Sequence, residues 1–101
     1  MLVEFSTFPS GKDENLSEDV AKVIEIIEQS GLPHQTHAMG TLIEGDWDSV
    51  MDVIKQCHHE LARTGKRIYT RIVIDDRAGA TGRLSGKVAS IEKKLGHEIR
   101  K

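Results

Sequence analysis

Five histidines and one cysteine are the side chains in this 101-residue chain best suited to hold a metal or attack a substrate. Their spacing serves neither purpose. His58 and His59 are consecutive on a helical pattern, so their rings point about 100° apart and cannot close on one ion. His34 and His37 fall on a strand pattern, where an odd separation sends side chains to opposite faces. No paired zinc-ligand spacing occurs, and no metal site is expected. Cys57 beside His58 would be a badly aimed nucleophile and base. Cys57 reads instead as a small buried hydrophobe. His58, one turn after Ile54 on an apolar stripe, reads as a core histidine satisfied by a hydrogen bond.

Phosphate chemistry is no better served. Gly79-Ala80-Thr81-Gly82 precedes a helix but lacks the lysine of a Walker loop, and there is no Ser-centred nucleophile elbow. A phosphate could still meet the N-terminus of that helix, although such a connection is usually only a loop. Asp75-Asp76-Arg77 places two carboxylates beside a guanidinium, and its plain reading is a solvated turn with a local ion pair. No catalytic group and no cofactor are expected.

Composition narrows the partners. Fourteen basic and 16 acidic residues leave a formal charge of -2, so no positive field is present to hold nucleic acid. The single cysteine excludes an internal disulfide and suits a reducing compartment, so a cytoplasmic home is the expectation. No basic segment precedes an apolar run at Met1-Leu2-Val3-Glu4-Phe5, and no stretch of about 18 apolar residues occurs, so neither export nor a membrane partner is signalled. No boundary or repeat divides the chain, and one domain over residues 1–101 is expected.

The elements that must position these residues follow from period. Residues 2 to 8 alternate as a strand that Pro9 stops. Ser17 or Asn15 can cap a helix over about 17 to 30 carrying Leu16, Val20, Val23, Ile24 and Ile27, with Gly31 offering the C-terminal cap. Residues 34–39 and 41–45 read as two short strands around Gly40, although His-Gln-Thr-His is a weak strand sequence. Asp46 caps a second helix whose stripe is Trp47, Val50, Met51, Ile54, His58 and Leu61. Residues 67 to 75 alternate Ile68, Thr70, Ile72 and Ile74 against Tyr69, Arg71, Val73 and Asp75. Leu84, Val88, Ile91 and Leu95 form a narrow seam on a last charged helix, able to cover a sheet edge or meet a partner.

That order predicts an α+β, ferredoxin-like βαββαβ sandwich with an added C-terminal helix, its four-stranded antiparallel sheet covered on one face by both main helices. The other face carries Glu4, Ser6, Tyr69, Arg71 and Val73 if Val3, Phe5, Ile68 and Ile72 point at the helices. An RNA-recognition domain shares this order but needs stacking aromatics and a basic surface, which the chain lacks.

Ser6-Thr7-Phe8-Pro9, the run Met39-Gly40-Thr41-Leu42-Ile43-Glu44-Gly45 and Trp47-Asp48-Ser49-Val50-Met51 give the chain a family resemblance. With Val53, Ile54 and His58, Arg67-Ile68-Tyr69-Thr70 and Ile74-Asp75-Asp76-Arg77, it resembles short members of the YkoF-like thiamine-binding superfamily over nearly its full length. The resemblance implies a noncatalytic binding protein for thiamine or its hydroxymethylpyrimidine moiety, self-associating to a dimer or tetramer through the sheet face. An aminopyrimidine offers a donor amine and ring acceptors, and a thiazolium is a cation. Ser6 and Thr41 are therefore assigned to the pyrimidine, Glu44 or Asp76 to its amine or the cation, and Met39, Ile43 and Tyr69 to the wall, with Gly40 in the turn. Glu44 and Asp76 would repel a diphosphate tail, so thiamine is expected to bind better than its diphosphate. The alternative is a structural or regulatory homo-oligomer with no ligand, and an enzyme is the third reading.

Overall fold

Alternation at the N-terminus becomes β1 (Leu2–Pro9), in which Val3 and Phe5 are sealed while Leu2, Glu4 and Ser6 are only partly covered. The computed structural model describes residues 1–10, 16–79 and 81–99, and nothing of the Leu16 side chain. After β1 come α1 (Leu16–Gln29), β2 (His34–His37), β3 (Gly40–Glu44), α2 (Trp47–Ala62), β4 (Ile68–Asp75) and α3 (Arg83–Leu95). The four strands form one antiparallel sheet in the order β2-β3-β1-β4, an α+β ferredoxin-like fold as the element order predicts.

Local signals account for most boundaries. Asp46 caps α2 by accepting the Ser49 N–H at 2.7 Å, and that bond, backbone first, lowers its carboxyl pKa. Gly31 follows α1 with φ of 72°, as the cap reading requires. α1 already includes Leu16, so Ser17 lies inside its first turn, and the alternative cap Asn15 lies outside the described residues. The weak sequence of β2 forms a strand because β3 does. Val3 faces Ile43 in the central ladder, and β2 only has to add to an edge already fixed.

The core joins Val3, Phe5 and Ile43 of the sheet to Val23 and Ile27 of α1 and to Val50, Val53, Ile54, Cys57 and Leu61 of α2. The stripe expected on α2 is therefore rotated. Trp47 is 55 % exposed at the helix start, whereas Val53 and Cys57 are buried. The cause is lateral: α1 lies beside α2, and Cys57 Sγ comes within 3.8 Å of the Val23 carbonyl. Burial pushes the Cys57 thiol up to about 11, so it stays protonated at neutral pH. Ile72 and Ile74 face the helices yet remain partly exposed, because β4 is an edge strand that α2 only partly covers.

α3 has no buried residue, and its seam adds nothing to the hydrophobic core. Polar bonds fasten its start. The Glu44 carboxylate accepts from the N–H groups of Arg83 at 2.8 Å and Leu84 at 3.2 Å. Asp75 pairs with Arg83 at 3.0 Å and Lys87 at 2.7 Å. The N-terminus that could have met a phosphate thus holds a carboxylate of the same chain. Among the described residues no helix is long and apolar enough to cross a membrane.

Candidate functional site

β3 is shorter than β1, and the mismatch makes a pocket. β1 pairs with β3 from Leu2↔Glu44 to Phe5↔Thr41, but its pairing with β4 continues to Pro9↔Ile68. From Ser6 onward β1 therefore has β4 on one edge and no strand on the other. The gap opens into a cavity of about 460 Å³, within the usual range for a small-molecule site. Val20, Val23 and Ile24 of α1 line it, and the turn between β2 and β3 contributes Ala38 and Met39. Ser6, Thr7, Phe8, Tyr69 and Arg71 complete it from β1 and β4.

Two features hold the mouth in place. Gly40 approaches the Phe5 backbone so closely that a Cβ there would lie 2.7 Å from the Phe5 carbonyl oxygen, with φ at 156°. Only glycine fits without a shift. His37 braces the same turn: its Nδ1 accepts the Met39 N–H at 3.2 Å, which leaves Nε2 to carry the proton toward Glu4 at 3.3 Å. The Phe8 and Tyr69 rings stack with centroids 5.6 Å apart and stay largely exposed. They give the pocket an aromatic rim on the uncovered sheet face.

The structure separates the candidate residues into four places. Ser6, Met39, Gly40, Thr41 and Tyr69 line the pocket. Ile43 is fully buried in the core on the helix side and does not face the cavity. Glu44, 8 % exposed, spends its carboxylate on the start of α3. Asp76 is exposed just past β4, roughly 20 Å along the strand from Tyr69 at ordinary strand rise. His58 lies between α2 and β4 and has the expected hydrogen bond, Nδ1 2.8 Å from Thr70 Oγ1, but it is only half-buried and stands outside the core, because the edge strand β4 is incompletely covered.

Sequence reasoning did not assign Thr7, Phe8, His37 or Arg71 to the site. Alternation already put Arg71 on the face of Tyr69, but which strand end stays unpaired depends on register, which no local pattern encodes. Among the described residues, the charged or titratable ones in the lining are His37, Tyr69 and Arg71, with no carboxylate. The repulsion expected between a diphosphate and Glu44 or Asp76 therefore does not operate in this pocket. Among the described residues no group of three metal-ligating side chains gathers anywhere.

Comparison with known proteins fits this geometry. The sequence profile of the family described as thiamine-binding protein matches residues 3–92. A UPF0045 protein of Mycobacterium bovis is 41 % identical over 96 residues, covering 94 % of each chain. The crystal structure of a hypothetical protein from Methanocaldococcus jannaschii superposes with a TM-score of 0.82 at 30 % identity, over 91 % of this chain and 95 % of that one. A candidate thiamine biosynthesis/salvage protein of Thermotoga maritima gives a TM-score of 0.76 at 27 % identity, over 89 % and 96 %. Matched nearly end to end by profile, sequence and fold, the chain belongs to the thiamine-binding protein family.

Proposed function

We propose that this chain is a noncatalytic, cytoplasmic, single-domain protein that binds hydroxymethylpyrimidine or thiamine in the pocket beside the free edge of β1. The observation that carries the reading is that pocket: apolar walls, an aromatic rim, and hydroxyls at Ser6, Thr7 and Thr41 beside an unpaired strand edge. An aminopyrimidine needs both donors and acceptors, and hydroxyls with backbone amides supply both. Arg71 opposes a cation, so the neutral pyrimidine is the part of thiamine that the lining favours. Family membership supports the same ligand class. Calorimetry with hydroxymethylpyrimidine, thiamine and thiamine diphosphate tests it. Binding of the first two is expected, at least as tight for the pyrimidine. Absence of heat with all three up to millimolar concentration ends the ligand reading.

The working unit is a homo-oligomer closed through the sheet face, a dimer or tetramer. Phe8 is 43 % exposed, Tyr69 54 % and Val73 47 %, all on the face opposite α1 and α2. Such a patch favours association, and a second copy there would cap the rim of the pocket. Light scattering should give at least twice the 11.2 kDa chain mass, and a clean monomer at micromolar concentration removes this part. An oligomer that binds none of the three ligands would leave the same face with a structural role.

A further inference from the structure

Three side chains connect the pocket to the far flank of the sheet. Thr7 lines the pocket, and its Oγ1 lies 2.7 Å from Thr70 Oγ1, its register partner on β4. Thr70 Oγ1 lies 2.8 Å from His58 Nδ1. His58 and Thr70 also line a second, more open cleft between α2 and β4, of about 290 Å³. A histidine outside the pocket is thus two hydrogen bonds from the hydroxyl of a residue that lines it.

The chain has a direction, because each hydroxyl owns one proton. When Nδ1 carries a proton it donates to Thr70, Thr70 donates to Thr7, and the Thr7 proton is left for the pocket. When Nδ1 is bare it accepts from Thr70, Thr70 accepts from Thr7, and Thr7 offers the pocket only lone pairs. Resting on the pyrimidine-site reading above, we infer that His58 is a positioning residue that sets whether Thr7 donates or accepts a hydrogen bond in the ligand pocket. Protonation of His58 then favours ligands that present an acceptor at Thr7, and neutral His58 favours those that present a donor. The other titratable groups lining the His58 cleft are Lys55 and His59 of α2; the facing residues Thr70 and Ile72 of β4 and Thr7 of β1 are uncharged. His59 lies 6.2 Å away, ring to ring, and needs its own control.

The probe is hydroxymethylpyrimidine, titrated calorimetrically from about pH 5 to 8, the range over which imidazoles change charge. Wild type should change affinity about three- to tenfold across that range, the worth of one redirected hydrogen bond. Measured in a His37→Gln background, because that imidazole lines the pocket itself, and corrected for protonation of the probe's own ring, Thr70→Val should flatten the profile, Thr70→Ser should keep it, and His59→Gln should leave it in place. A merely structural Thr70 would shift the melting temperature of the valine variant and preserve the slope, which would overturn the inference. NMR supplies a readout that needs no ligand. The Thr7 methyl resonance should follow the His58 titration in wild type and lose it in Thr70→Val, and neutral His58 should carry its proton on Nε2. If wild type fails to bind the probe, the pocket reading falls and the NMR arm alone decides. A Thr7 signal indifferent to His58, or a neutral His58 protonated at Nδ1, defeats the proposal.

Discussion

The two ends of the sheet use polar residues in opposite ways. At the α3 end, Glu44 and Asp75 are engaged: one carboxylate caps a helix, the other holds Arg83 and Lys87. At the pocket end, β3 stops at Gly40, β1 continues alone on that side, and Ser6, Thr7 and Tyr69 border a cavity. The acidic groups that look chemically rich in the sequence are those with internal partners. The plainer hydroxyls and rings lie where a ligand can reach them. Charge marks where this chain holds itself together, and missing strand pairing marks where it can hold something else.

That contrast can be broken at either end. Gly40→Val should have the largest effect, about 2–3 kcal/mol lost in denaturant unfolding, because a side chain there meets the Phe5 carbonyl. Pyrimidine affinity should fall with it, and an unchanged midpoint would mean that the close approach constrains nothing. Glu44→Gln comes next, at about 1–2 kcal/mol, since an amide accepts the Arg83 and Leu84 N–H groups less strongly than a carboxylate. Calorimetry should find its ligand affinity equal to wild type, and a loss would return Glu44 to the binding site.

Acid supplies the mildest perturbation. Hydrogen bonds from Arg83 and then Lys87 hold Asp75 down at about 2, below the usual carboxylate value. A pKa lowered by folding gives stability that is complete above about pH 4 and disappears as pH falls toward 2. The side-chain N–H resonances of its partners Arg83 and Lys87 should therefore shift in that window before the amides of the core, and Asp75→Asn should remove the dependence. Simultaneous loss of core and α3 would show that the two ends are not separable.

Much of the fold was legible because its signals are local. Alternation through Val3 and Phe5, the Asp46 cap and the Gly31 stop each act within a few residues. The rotated face of α2 was not: Trp47 fell on the expected stripe yet is exposed, while Val53, off that stripe, is buried in the core that α1 shares. The pocket was half legible. Ser6, Thr41 and Tyr69 stood out by type, whereas Phe8, Arg71 and His37 belong to the site only through the register of three strands. Glu44 shows a related limit: its hydrogen-bond partner is a helix start on a different element, invisible until the chain is folded.

The β1–β4 ladder also decides when the pocket can exist during synthesis. Thr7 and Thr70, which meet across it, are 63 residues apart in sequence. Closing so long a loop costs entropy before any contact returns it, and such pairings form late. A nascent chain released only as far as α2 has Ser6 and Gly40 but lacks Tyr69, Arg71 and the strand that pairs with β1 along its whole length. A ligand held in this pocket would therefore reward only the nearly completed chain, as a late check on folding rather than a template for it.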